Sequence, residues 1–178
     1  MDLQGDAVLI DRAGRCYPLD DPRWRGDDLS PLRVSDLQGL TPERIEQGAR
    51  SIWRYREVLP VDAGARVSMG EGCTPLVESD WEGMPVRFKL EWFNPTSSFK
   101  DRGVSVMMSH LKEQGVTRVL EDSSGNGGAS VAAYAAAAGI SARIIVPAAT
   151  STAKILQARA FGAEIELVGG TRDQVSAE

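Results

Sequence analysis

No stretch of this chain approaches the roughly 20 consecutive apolar residues that a membrane-spanning helix needs. The N-terminus, MDLQGDAVLIDRAGR, also lacks the basic region and apolar run of a secretory leader. A cytoplasmic protein with no membrane partner is therefore expected. Runs of Lys or Arg are missing too, and the net charge is −5, from 20 basic and 25 acidic side chains, so no stripe for nucleic acid is expected. Cysteine is scarce. Cys16 and Cys73 are far apart and lack the paired spacing of a metal clip, which points to thiols rather than a disulfide framework. The single histidine, His110, falls on the polar side of an expected helix and reads as a solvated surface residue. What is present is an ordinary soluble composition, 42% apolar and 25% charged over 178 residues, which excludes disorder and fibre.

The texture changes along the chain. Pro, Asp and Arg dominate the first thirty-five residues, whereas Ala, Gly and Val dominate after Pro85. In the second half, short strand-like runs alternate with longer runs of helical period, the pattern of βα units on a mostly parallel sheet. Strands are expected near 86–90, 117–121, 142–146 and 164–168. Val104, Met107, Met108 and Leu111 fall at i, i+3, i+4 and i+7, which predicts a helix from about Ser98 to Gln114 with Gly115 as its stop. An alanine-rich helix is expected from about Gly127 to Ala138, stopping at Gly139, and a third from about Thr152 to Phe161, stopping at Gly162. Residues 169–178 read as a turn and the first turn of another helix, so the chain is expected to be truncated, a fragment with a strand face left uncovered. The scattered Trp24, Trp53, Trp81 and Trp92 are expected to pack.

Two segments carry chemistry. In Asn94-Pro95-Thr96-Ser97-Ser98-Phe99-Lys100-Asp101-Arg102-Gly103, the lysine stands where a helix begins. Unpaired backbone N–H groups there disfavour an ammonium, and the apolar Phe99 beside it would do so further, poising the amine to condense with an aldehyde. The alternative is a solvated Lys-Asp-Arg first turn. The second segment, Glu121-Asp122-Ser123-Ser124-Gly125-Asn126-Gly127-Gly128-Ala129-Ser130, lies between a strand and a helix. Its N–H groups and hydroxyls suit a carboxylate or phosphate, and Asn126 adds an amide donor. The alternative is a tight βα turn that uses glycine for its backbone angles.

Together these segments resemble a known family. SFKDRG preceded by NPT and followed, after a helix and a strand, by SSGN is similar to the paired signature of fold-type II pyridoxal-phosphate enzymes, which have the tryptophan synthase beta-like fold. Trp53-Arg54-Tyr55, Leu59-Pro60, the run Gly70 to Leu76, Lys89-Leu90-Glu91, Lys154 with Gln157, and Phe161-Gly162-Ala163 narrow the resemblance to the threonine synthase family, over residues 50 to 175. The resemblance implies pyridoxal phosphate as cofactor and Lys100 as the lysine that holds it in a Schiff base. It also implies Phe99 beside the cofactor and Asn126 on its phenolic oxygen. Ser123, Ser124 and Gly125 match the loop that takes the substrate's α-carboxylate, and Gly127 stands at a further substrate-binding position of that loop. The implied reaction converts O-phospho-L-homoserine and water to L-threonine and phosphate. In the family, the loop that cradles the cofactor phosphate lies beyond residue 178.

Three positions depart from the family pattern: Ser97 stands where glycine is usual, Cys73 where asparagine is common, and Gly127 where threonine or alanine is common. Gly127 lacks a hydroxyl that could hold a substrate phosphate. Gly14, Tyr17 to Asp20, Trp24-Arg25 and Pro31-Leu32 resemble a small zinc ribbon, but Ile10, Ala13, Gly26 and Asp28 fill its cysteine places, so no structural zinc is expected there.

The expected organisation is an arm at 1–35, a large-domain segment at 36–97, and the lysine helix with an incomplete set of βα units at 98–178. A serine or threonine dehydratase needs the same lysine and loop and is the nearest enzymatic alternative. A catalytically silent fragment is another. A dinucleotide-binding domain is disfavoured because no G-x-G-x-x-G follows a strand. The implied partner is a small amino-acid substrate; whether a homodimer or a companion chain supplies the missing half is left open.

Overall fold

The computed structural model describes residues 7–21, 23–35, 39–61, 63–123 and 125–170. The turn expected at 171–178 therefore lies outside the described residues, as does Ser124 of the expected substrate loop.

The βα series is present. Strands β6 (Arg118–Glu121), β7 (Ser141–Pro147) and β8 (Glu164–Val168) form a parallel sheet in the order β6-β7-β8. Helices α1 (Lys100–Glu113), α2 (Asn126–Ala138) and α3 (Thr152–Ala160) alternate with the strands, each near its expected span. The stops act as expected for a physical reason. After each helix a glycine at positive φ lets the next residue's N–H reach back: Val116 bonds the Leu111 carbonyl, Ile140 that of Ala135, and Ala163 that of Ala158.

Alanine makes α2 the centre of the packing. It lies against β7 and β6 and between α1 and α3, and its small side chains bring backbones close. The core joins Val104 and Met108 of α1, Val131 to Ala135 of α2, Ile144 and Val146 of β7, and Ile155 and Ala158 of α3. Burying each larger aliphatic here contributes roughly 1.5–3 kcal/mol. On the opposite face of the sheet, Arg143 pairs with Glu166 at 2.5 Å, and Leu120 is exposed. Met107, counted on the apolar stripe of α1, is exposed; Ser105 and Ser109 are buried instead, because they bond segment 67–71.

The strand expected near 86–90 is not part of the parallel sheet. It is β5 (Met84–Lys89), paired antiparallel with β4 (Leu76–Trp81), which the sequence reading missed. Glu82 and Gly83 between them both take positive φ, the geometry of a two-residue hairpin turn. The arm holds a second small sheet, β1 (Val8–Ile10) between β2 (Cys16–Pro18) and β3 (Arg33–Val34). Buried Asp11 knits it together, accepting from the Arg15 N–H at 2.8 Å and the Tyr17 hydroxyl at 2.7 Å, while that hydroxyl accepts from the Asp27 N–H at 3.0 Å.

Two expectations about single residues are corrected. His110 is half-buried, because the arm returns across the end of α1: Gln114 Nε2 lies 3.0 Å from His110 Nε2 and donates to the Leu19 carbonyl at 3.4 Å. Of the four tryptophans, Trp53 alone is buried, where its indole donates to Ser105 at 2.9 Å. Trp24, Trp81 and Trp92 are exposed: Trp24 lies on a loop, Trp81 on the two-stranded hairpin and Trp92 in the short 3-10 turn Glu91–Phe93. Both thiols are free, as expected. Among the described residues no helix is long and apolar enough to cross a membrane.

Candidate functional site

The segment before Lys100 alternates in burial. Asn94, Thr96 and Ser98 are buried, while Pro95, Ser97 and Phe99 are exposed. Each inward residue holds a neighbour. Asn94 accepts from the Gly72 N–H at 2.9 Å and donates to Glu91; Thr96 donates twice to Asp101; the Ser98 hydroxyl accepts from the Lys100 N–H at 3.2 Å and so caps the start of α1. Ser97 sits at φ 62° and Cys73 at φ 45°, so two of the three departures from the family pattern occupy left-handed backbone that glycine and asparagine tolerate best.

The Lys-Asp-Arg turn is not a solvated face. Lys100 is exposed, Asp101 is fully buried, and Arg102 is held against Glu91, Nε to Oε2 at 2.8 Å and Nη2 to Oε1 at 2.9 Å, with Thr74 and Asn94 also bonded to Glu91. The Lys100 Nζ lies 5.2 Å from the centre of the Phe99 ring, and Phe99 is itself exposed. Phe99 therefore presents its ring face toward the amine and leaves it exposed. Lys89, the other lysine nearby, is engaged by the Thr74 carbonyl.

The second segment leaves β6 and opens α2. Asn126 is the first residue of the helix, exposed beside Gly125. A Cβ on Gly128 would lie 2.1 Å from the Ser123 carbonyl oxygen and 3.1 Å from Ile144, so α2 reaches this depth only with glycine there. At Gly127 a Cβ would lie 2.9 Å from Ser123 Oγ and 3.0 Å from Glu121 Oε1.

These two helix starts are joined. The Ser130 hydroxyl, one turn below Asn126, donates to Asp101, the residue after Lys100, at 2.6 Å. Lys100 and Phe99 stand at the start of α1, and Ser123, Gly125, Asn126 and Gly127 at the start of α2, the helix that this bond ties to α1. The sequence reading overlooked Asp101, Ser130, Glu91 and Glu71. Glu71 is fully buried and accepts from Met69 N–H, Ser105 and Tyr134, whose phenol is pushed up by burial and by that hydrogen bond. Glu71 is marked locally by its flanking glycines, whereas no local signal marks Asp101, Glu91 or Ser130.

Comparison with known proteins identifies the family. A family model described as pyridoxal-phosphate dependent enzyme matches residues 67–178. Threonine synthase of Mycobacterium leprae is 40% identical over 125 residues, which is 67% of this chain and 35% of that protein. Threonine synthase of Methanocaldococcus jannaschii is 37% identical over 141 residues, 75% of this chain and 35% of that protein. Among solved structures, a hydrogen sulfide-producing enzyme from Fusobacterium nucleatum aligns with a TM-score of 0.55 at 31% identity, covering 60% of this chain and 37% of that one. An O-ureido-L-serine synthase aligns with a TM-score of 0.51 at 29% identity, covering 55% and 33%. The chain spans about a third of the length of the curated relatives it matches. With a family match over more than half of its residues, laid on the helix starts just described, this chain belongs to the pyridoxal-phosphate dependent enzymes.

Proposed function

We propose that Lys100 is the covalent anchor of pyridoxal phosphate, that Asn126 contacts its phenolic oxygen, and that the loop Ser123 to Gly127 takes the α-carboxylate of an amino-acid substrate. The observation that carries this reading is the pairing of an exposed primary amine at the start of α1 with an amide and open N–H groups at the start of α2. These residues fit the aldehyde and phenol edge of the cofactor: a nucleophilic amine, an amide donor, and backbone kept clear by Gly125, next to which a Cβ would meet nothing within 4 Å.

The reaction we propose is that of threonine synthase: O-phospho-L-homoserine and water to L-threonine and phosphate. The relatives at 37–40% identity support it. Pyridoxal phosphate, when bound, supplies the electron sink for bond breaking next to the amino carbon. The chain's own residues supply the rest. The α2 N–H groups orient the carboxylate. The Lys100 amine holds and returns a proton at the substrate's α and β carbons. Asn126 fixes the tilt of the cofactor ring by a hydrogen bond.

A specific observation favours a second reading, a lyase acting on an unphosphorylated amino acid such as serine or threonine. The Glu121 carboxylate stands beside Gly127 at the start of α2, where it opposes a phosphate dianion. Assay of the full-length enzyme for phosphate release from O-phosphohomoserine against keto-acid formation from serine and threonine separates the two. Faster phosphate release is the result expected; faster keto-acid formation establishes the second reading.

A further inference from the structure

Asp101 has no exposed surface, and the chemistry proposed above does not use it. Its carboxylate accepts three hydrogen bonds: from the Thr96 N–H at 2.7 Å, the Thr96 hydroxyl at 2.5 Å and the Ser130 hydroxyl at 2.6 Å. Both partners are buried. Thr96 is also held from α3, where Gln157 donates to its carbonyl at 3.3 Å. Burying a carboxyl group is costly unless donors converge on it, and an apolar group of similar size often packs as well, so a carboxyl group here calls for a task that packing does not explain.

Its position supplies the task. Asp101 adjoins Lys100. Ser130 lies four residues after Asn126, on the same face of α2. We propose that Asp101 is a positioning residue: through Thr96 and Ser130 it fixes the start of α1 against the start of α2, and so sets the separation of the Lys100 amine from the Asn126 amide. Two groups that must meet the same cofactor ring tolerate little displacement, and here the joint is the residue next to the amine. A carboxylate suits the task because every partner is a donor. An amide at 101 would set N–H groups against one side of the joint, and the hydroxyls would have to reverse.

The role rests on the assignment of Lys100 and Asn126 above, and the test separates the two. In the full-length enzyme, Ser130→Ala and Asp101→Asn are compared with Ser109→Ala. That variant removes an equally buried hydroxyl further along α1, where it bonds the Ser105 carbonyl and the Val67 N–H. Three quantities are measured: the dissociation constant for pyridoxal phosphate from visible absorbance, the rate of borohydride trapping at Lys100, and the melting temperature of the cofactor-free protein. Ser130→Ala and Asp101→Asn should each weaken cofactor binding by about tenfold and slow trapping similarly, whereas Ser109→Ala should lower only the melting temperature. Should Asp101→Asn not fold, Ser130→Ala, which loses a single oxygen, decides alone. Trapping at Lys100 with unchanged binding and rate in Ser130→Ala overturns the positioning role by itself. A wild-type label on another lysine overturns the site assignment and this role with it.

Discussion

Arg102 grips Glu91 through two parallel bonds, Nε to Oε2 at 2.8 Å and Nη2 to Oε1 at 2.9 Å, and Thr74 and Asn94 bond the same carboxylate. The guanidinium holds the Glu91 carboxyl from its ordinary 4.5 down to about 2, against the opposing effect of burial and with help from Thr74 and Asn94. A depressed carboxyl stabilises the fold above its unfolded value and loses that contribution as pH falls from about 4.5 through about 2. Screening at this partly exposed pair leaves on the order of 1–3 kcal/mol. Glu91→Gln should therefore lower the melting temperature at pH 7, and its melting curve should fall less steeply than the wild type between pH 5 and pH 2. Parallel acid limbs in the two proteins would show that the pair does not act this way.

Ser97 at φ 62° gives a second prediction. A left-handed residue with a Cβ costs about 1–2 kcal/mol in the folded state, partly offset by the extra freedom that glycine has when unfolded. Ser97→Gly should raise stability by roughly 0.5–1 kcal/mol, and Ser97→Val should lower it by more than that. Denaturant titration of the three proteins tests the order; a Val variant as stable as wild type contradicts it.

The third prediction concerns Gly127, where a Cβ would meet Ser123 Oγ at 2.9 Å and Glu121 Oε1 at 3.0 Å. Putting threonine there requires Ser123 to move. Gly127→Thr alone should be destabilising, despite the better helix propensity of a non-glycine residue, and Ser123→Gly should relieve part of the loss. A double-mutant cycle by thermal melting measures the coupling, expected at about 0.5–1.5 kcal/mol. In the threonine synthase reading, adding Gly127→Thr to the Ser123→Gly background should also lower the KM for O-phosphohomoserine relative to Ser123→Gly alone, with no comparable gain for serine.

In the arm, the Tyr17 hydroxyl donates to Asp11 and accepts from the Asp27 N–H, tying the two turns where a zinc ribbon would place its cysteines. Tyr17→Phe leaves the Asp11 carboxylate and the Asp27 N–H each short of a partner, so the arm should lose stability. Faster amide exchange at Arg15 and Asp27, with α2 unaffected, is the expected signature. Preparations in metal-free buffer should contain no stoichiometric zinc; one zinc per chain would contradict the reading of Ile10, Ala13, Gly26 and Asp28.

The helices and the parallel strands were legible because their signals are local. The stripe of α1, the alanines of α2 and the glycine stops each lie within a few neighbouring residues, and β6, β7 and β8 are short segments rich in Val, Ile and Leu between them. The hairpin β4–β5 was harder to read. Leu76, Glu78 and Asp80 alternate with Val77, Ser79 and Trp81 without a consistent apolar face, and every residue of β4 is exposed. The arm strands are two or three residues long, too short for any period to show. At the proposed site, Lys100 and Asn126 stood out through the family resemblance of the segments SFKDRG and SSGN that hold them, more than through the helix start and glycine-rich turn alone. Asp101 did not, since what buries it is Ser130, 29 residues away, and local sequence cannot distinguish a carboxylate with that partner from a solvated one.

The most direct test of the central claim is chemical. The full-length protein loaded with pyridoxal phosphate is reduced with borohydride, digested and mapped by mass spectrometry. The account predicts a pyridoxyl label on Lys100 and its loss, together with the visible absorbance band, in Lys100→Ala. A label on Lys89 or Lys154, with Lys100 unmodified, would contradict it.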